Sequence, residues 1–158
     1  MNPKIKTLPA LKKALSAARR RNIKVVFTNG CFDILHRGHV EYLKKAASFG
    51  GILVVALNSD SSVRRLKGKG RPVTNQGDRA NVLAALKSVN YVIIFKEDTP
   101  FGLIKELKPD ILVKGADWDK NKIVGKTIVE SYGGKVEVAR YLKGYSTTNL
   151  LKKMAGRP

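Results

Sequence analysis

The sequence predicts an α/β fold built on a mostly parallel five-stranded sheet with helices on both faces. Two observations lead there. Short β-branched apolar runs, long enough for buried strands, alternate along the chain with stretches of helical periodicity. Five such runs are separated by helical segments, so the strands are joined by helical crossovers rather than tight hairpins.

Leu8, Leu11, Leu15 and Ala18 recur at helical spacing and predict an N-terminal helix within residues 1–22, ahead of a core over 23–154. Ile23 to Thr28 reads as the first strand, ending at Asn29-Gly30. Val40, Leu43, Ala46 and Ala47 mark a helix from Gly38 to Phe49. Ile52 to Leu57 is the second strand, closed by Asn58-Ser59-Asp60. The stretch Arg64 to Pro72 holds five basic residues and no acid, lacks periodicity, and reads as a mobile surface loop. Asp78 to Leu86 is a helix and Tyr91 to Phe95 the third strand. Thr99-Pro100 starts a helix through Leu107. Ile111 to Lys114 is the fourth strand, a helix covers 122–131, Val136 to Ala139 is the fifth strand, and Ser146 opens a last helix to Met154.

With 158 residues the chain fits one domain able to bury a real core, and 43% hydrophobic residues exclude a disordered basic tail. The longest apolar stretch, Gly51 to Leu57, is far short of the roughly 18 residues a membrane span needs. A single Cys suits a reducing compartment, and a cytoplasmic location is expected. The first 24 residues carry eight basic side chains and no acid; the helical stripe favours a packed helix over an organellar presequence. A net charge of +19 points to anionic partners without separating nucleic acid from small phosphorylated ligands. No nucleic-acid signature accompanies it, since the basic loop lacks interleaved aromatics for stacking.

Ligands of open parallel sheets bind beyond the C-terminal strand ends, where strand order reverses. That rule selects residues 28–39, 58–71, 114–118 and 140–148. The first holds both histidines of the chain, His36 and His39, three apart around Gly38. Placed at a helix start, they can donate hydrogen bonds to phosphate oxygens as charge develops there. Zinc is disfavoured, because Cys31 would be the only thiol to complete a set. Cys31 itself reads as a small side chain at a strand end, either packed or touching the ligand. Lys67-Gly68-Lys69-Gly70 alone reads as solvated charge, and beside the His pair as a phosphate-binding loop.

The stretch Gly30-Cys31-Phe32-Asp33-Ile34-Leu35-His36-Arg37-Gly38-His39 resembles the GxFDxxHxGH signature of the cytidylyltransferase-like branch of the nucleotidyltransferase superfamily. Lys67 to Gly70 resembles that family's lysine loop, and Gly144-Tyr145-Ser146-Thr147-Thr148 its turn before the last helix. The resemblance covers 23–154 and implies a Rossmann-like domain that transfers a nucleotide with Mg²⁺ on its phosphates. It implies His36, His39 and Lys67 as catalytic. Thr28, Asn29, Gly30, Cys31, Phe32, Gly38, Lys114, Gly115, Asp117, Ser146, Thr147 and Thr148 would join the His pair around the nucleotide. Asp33, Asn58, Asp60, Lys67, Lys69 and Arg79 would hold the acceptor phosphate. No protein metal site is implied. Trp118 either stacks on a base or covers the sheet end.

Val113 to Trp118 and Ser146 to Asn149 are similar to the members that act on ATP and D-glycero-β-D-manno-heptose 1-phosphate for bacterial surface polysaccharide. That branch is often fused to a sugar kinase, for which this length leaves no room, so a stand-alone form is expected. The glycerol-3-phosphate cytidylyltransferases are the near alternative. Their RTEGIST signature meets Arg140 one position early here, and the acid is missing. A homodimer is left open by the sequence.

Overall fold

Strand β1 (Val25–Gly30) takes the centre of the sheet because Val25, Val26 and Phe27 give it buried side chains on both faces. The structure, a computed structural model, describes residues 2–116, 119, 122–140 and 144–156. Around β1 lie β2 (Ile52–Asn58), β3 (Tyr91–Phe95), β4 (Ile111–Gly115) and β5 (Lys135–Ala139), in the order β3-β2-β1-β4-β5. Every pairing is parallel, as the alternation of runs requires. The helices are α1 (Leu8–Arg19), α2 (Arg37–Ala47), α3 (Asp60–Lys67), α4 (Gln76–Ala85), α5 (Phe101–Leu107), α6 (Lys126–Ser131) and α7 (Thr147–Met154). No helix among the described residues is long and apolar enough to cross a membrane.

Successive strand residues point to opposite faces, so the core divides in two. Val26, Leu53, Val55 and Val92 meet Tyr42 and Leu43 of α2 and Leu83 of α4. Val25, Phe27, Val54 and Ile93 meet Leu11 and Leu15 of α1, Ile104 and Leu107 of α5, and Val129 of α6. The Leu8–Ala18 stripe is therefore a core face.

Four expectations need correction. The first strand is shifted along the chain, beginning at Val25 rather than Ile23 and taking in Asn29 and Gly30, which stay in register with Ala56 and Leu57 of β2. The N-terminal segment is not helical throughout: Ile5 bridges to Val92, extending the sheet beyond β3, and the helix begins only at Leu8. The first part of the basic stretch is not loop either, since residues 60–67 form α3 and take in Arg64 to Lys67. The Ser59 hydroxyl accepts from the Ser62 amide, and Asp60 sits at the positive helix end. Val63 is the only apolar residue α3 buries, a stripe too narrow for periodicity to reveal. Finally, α6 starts at Lys126 rather than 122. Gly125 precedes it at φ +89°, where a Cβ would stand 2.6 Å from Ile104 Cδ1.

Strand order reverses between β1 and β4. These two strands pair only at Val26–Ile111 and Phe27–Leu112, then separate. Tyr42 closes the base of the split: its hydroxyl lies 2.8 Å from the Thr28 hydroxyl and donates to the Val113 carbonyl at 3.3 Å.

Candidate active site

Above Tyr42 the split opens into a cavity of about 690 Å³ across the C-terminal rim of the sheet. On one side stand the two histidines. His36 is the residue before α2, its carbonyl accepting from the His39 and Val40 amides, which turns both rings to the same side. The rings stack with centroids 3.8 Å apart and planes 22° from parallel. Phe32 meets His39 edge-on at 5.3 Å. Phe32 reaches this position from a left-handed backbone at φ +42°, strained for a bulky residue and held by burial. Its ring also explains Gly30, where a Cβ would come within 2.9 Å of it.

Burial lowers both imidazoles. His39 falls to about 4, through desolvation first and the neighbouring His36 second, with the Ile34 carbonyl opposing. His36 shifts down through desolvation. Both rings are thus neutral at pH 7 and act as hydrogen-bonding groups, not as cations. The Nδ1 atoms of both are buried without a hydrogen bond among the described residues.

Gly38 is closely packed by side chains. A Cβ there would lie 2.9 Å from Tyr145 Cβ and 3.0 Å from the His36 ring, so the space is filled by side chains. Gly38 lets Tyr145, just before α7, pack against α2 and brings Ser146, Thr147 and Thr148 to the cavity wall. The Ser146 hydroxyl accepts from the Asn149 amide at 3.0 Å and caps α7.

Across the split, Asn29 and Lys114 line the cavity, and the Lys114 ammonium donates to Asn29 Oδ1. Burial pushes Lys114 down to about 8. Gly115, Gly30 and Cys31 complete this wall. Burial raises the Cys31 thiol, against the pull of Lys67, Arg79 and Arg71, so it is protonated at neutral pH.

The acceptor-phosphate set divides. Asn58 and Lys67 line the cavity, Lys67 as the last residue of α3. Asp33 also borders it, but its carboxylate is fully buried and spent. It accepts from the Val73 and Thr74 amides at 2.8 and 3.1 Å and from Arg71 Nε at 2.5 Å. Burial alone would raise this carboxyl; the Thr74 amide, Arg71 and the Val73 amide outweigh it and hold it low. Arg79 lies beneath the site rather than in it. Only 2% exposed, it donates to the carbonyls of Thr74, Cys31 and Asn58 and to Asp60 Oδ1. That network also draws Asp60 away from the cavity. Lys69 is exposed outside it, between Gly68 and Gly70, which have φ of +90° and +84° and open space around them. Thr28 is buried behind the site against Tyr42. Asp117 and Trp118 lie outside the described residues.

Sequence reasoning missed Arg71, Tyr42, Asp98 and Thr99. Arg71 was legible only as one more charge in a basic run, because its partner Asp33 is distant in sequence. No group of three or more His, Cys, Asp or Glu able to hold a metal occurs among the described residues.

Residues 27–153 match the cytidylyltransferase-like family. The chain belongs to that family. The cytidylyltransferase-like chain is also 55% identical over 151 residues to the bifunctional protein HldE of Geobacter metallireducens, and 48% identical over 153 residues to that of Aliarcobacter butzleri. These matches take in 96% and 97% of this chain but only 31% of each relative, so the chain spans about a third of the length of the curated relatives it matches. A lipopolysaccharide core biosynthesis protein from Thermoplasma volcanium shares the fold, with TM-score 0.64 and 31% identity over 78% of this chain and 99% of that one.

Proposed function

We propose that this cytidylyltransferase-like domain is an adenylyltransferase, transferring AMP from ATP to D-glycero-β-D-manno-heptose 1-phosphate. The observation that carries the reading is the stacked, neutral His36–His39 pair on one wall of a cavity that the start of α7 also borders. Hydrogen-bond donors and a helix N-terminus converging there suit a polyphosphate. The heptose acceptor draws its support from the Val113–Trp118 and Ser146–Asn149 phrases and from the bifunctional HldE relatives.

In this reading an anionic oxygen of the sugar phosphate attacks the α-phosphorus of ATP in line. The bond from that phosphorus to the bridging oxygen breaks, and pyrophosphate leaves with the electron pair. The nucleophile carries its charge already, so no side chain need take a proton. Catalysis then rests on positioning and on stabilising charge. His36 and His39 donate to the α-phosphate region, Ser146 to Thr148 hold the outer phosphates, and Lys67 meets the acceptor phosphate. Mg²⁺ enters on the nucleotide as part of the substrate.

Pyrophosphate release from each of ATP, CTP, GTP and UTP, with heptose 1-phosphate or glycerol 3-phosphate, tests the assignment. ATP with the heptose β-1-phosphate is expected to give the highest kcat/KM; CTP with glycerol 3-phosphate in that place would replace it. The same assay carries a pH prediction. Lys114 loses its charge as pH rises through about 8, so kcat/KM for ATP should fall on that alkaline limb. Lys114→Met should be slower below pH 8 and lack the limb. An unchanged limb in that variant would assign it elsewhere.

A further inference from the structure

Among the described residues one open carboxylate lines the cavity, and phosphate binding does not account for it. Asp98 and Thr99 follow β3, at the far end of the strand order from β5, and line the cavity opened by the β1–β4 split. The basic residues lining the cavity are Lys67, Arg71 and Lys114. Of the two carboxylates that border the cavity among the described residues, Asp33 is fully buried and neutralised by Arg71. The Asp98 side chain is 52% exposed.

A carboxylate at the wall of an anion site repels phosphate, and in a chain with 12 acids against 31 bases it stands out. It is also held in place. Arg65 of α3 donates from Nε to Asp98 Oδ1 at 2.7 Å and from Nη2 to the Lys96 carbonyl at 2.5 Å. The second carboxylate oxygen makes no hydrogen bond among the described residues, nor does the Thr99 hydroxyl. An ionised carboxylate only accepts, and a threonine hydroxyl both donates and accepts. A fixed acceptor beside a free hydroxyl is equipped to read the O–H groups of a polyhydroxylated ligand. The same helix, α3, supplies Lys67 to the cavity and Arg65 to Asp98.

Building on the adenylyltransferase reading above, we propose that Asp98 and Thr99 form the subsite that recognises the ring hydroxyls of the acceptor sugar. The 1-phosphate lies toward Lys67 and the ring extends to the β3–α5 turn. Asp98 accepts a hydrogen bond from a sugar hydroxyl through its second oxygen. Arg65 is a positioning residue that fixes the carboxylate rotamer.

The experiment pairs enzyme variants with acceptor variants. The wild type, Asp98→Ala and Asp98→Asn are assayed for pyrophosphate release with ATP and either heptose 1-phosphate or its singly deoxygenated ring analogues. Removing a charge-assisted hydrogen bond costs on the order of ten- to a hundredfold. Asp98→Ala should lose about that much kcat/KM for intact heptose 1-phosphate, with KM for ATP changed less than about twofold. At least one deoxy analogue should be poor for the wild type yet match the intact sugar in Asp98→Ala, with Asp98→Asn intermediate. If the wild type is active but Asp98→Ala keeps the parental preference among all the acceptors, the inference fails alone. It also fails if added Mg²⁺ restores Asp98→Ala, which would make the carboxylate a metal ligand. A wild type inactive with heptose 1-phosphate overturns the functional reading and this subsite together.

Discussion

His39→Ala should lower kcat by at least about a hundredfold while ATP affinity changes by less than about threefold. A donor aimed at developing charge strengthens its bond in the transition state more than in the ground state, and losing one such donor typically costs about 10²–10³ in rate. The neutral state of His39 sharpens this expectation. With its pKa pushed to about 4, the ring does not contribute a full positive charge that would bind ground-state phosphates equally well. Steady-state kinetics beside calorimetric ATP titration separate the effects: a raised KM at unchanged kcat would make His39 a binding residue. The same burial has a stability consequence. Below about 6.5 the unfolded chain takes up a proton that folded His39 refuses until about 4, so stability is lost as pH falls through that window. Thermal denaturation of His39→Ala should show a shallower loss there.

Arg79→Met should destabilise the fold by about 3 kcal/mol or more and disable the site, although Arg79 does not line the cavity. Its guanidinium joins Cys31 after β1, Asn58 at the end of β2, Asp60 at the start of α3 and Thr74 before α4. Deleting it leaves a carboxylate and three carbonyls without their donor, and breaking a buried ion pair on one side costs about 3–5 kcal/mol. Arg79→Lys should not rescue, because one ammonium cannot span acceptors arranged for a planar fork. Urea denaturation gives the stability change. A variant within about 1 kcal/mol of the wild type, with normal turnover, would show that the four anchored segments hold their places without Arg79.

Much of the fold is legible in the residues. The buried strands are near-continuous apolar runs, and α1, α2 and α4 carry stripes that the sheet covers. The missed helix α3 shows the limit. Its stability comes from the Ser59 cap and from contact with neighbouring segments, neither of which leaves a periodic trace over eight residues. Site residues divide by the same logic. His36, His39 and Gly38 lie within one turn of chain, so their spacing carries their geometry, as does the Ser146–Thr148 turn that opens α7.

The sequence by itself determined the alternation of strands and helices and the His pair at a strand end. The tertiary structure decided what each polar side chain does, because that depends on partners distant in the chain. Asp33 borders the cavity but is neutralised by Arg71, and Arg79 is hydrogen-bonded to four segments beneath it, although the resemblance implies both at the acceptor phosphate. Lys114 is at once buried and part of the wall because β1 and β4 part after two residue pairs. Asp98 belongs to the site because β2 alone separates β3 from β1, and no local pattern encodes that adjacency. Spacing records only the geometry of a few turns of chain; burial, and the partner that neutralises a charge or leaves it open, come from strand order.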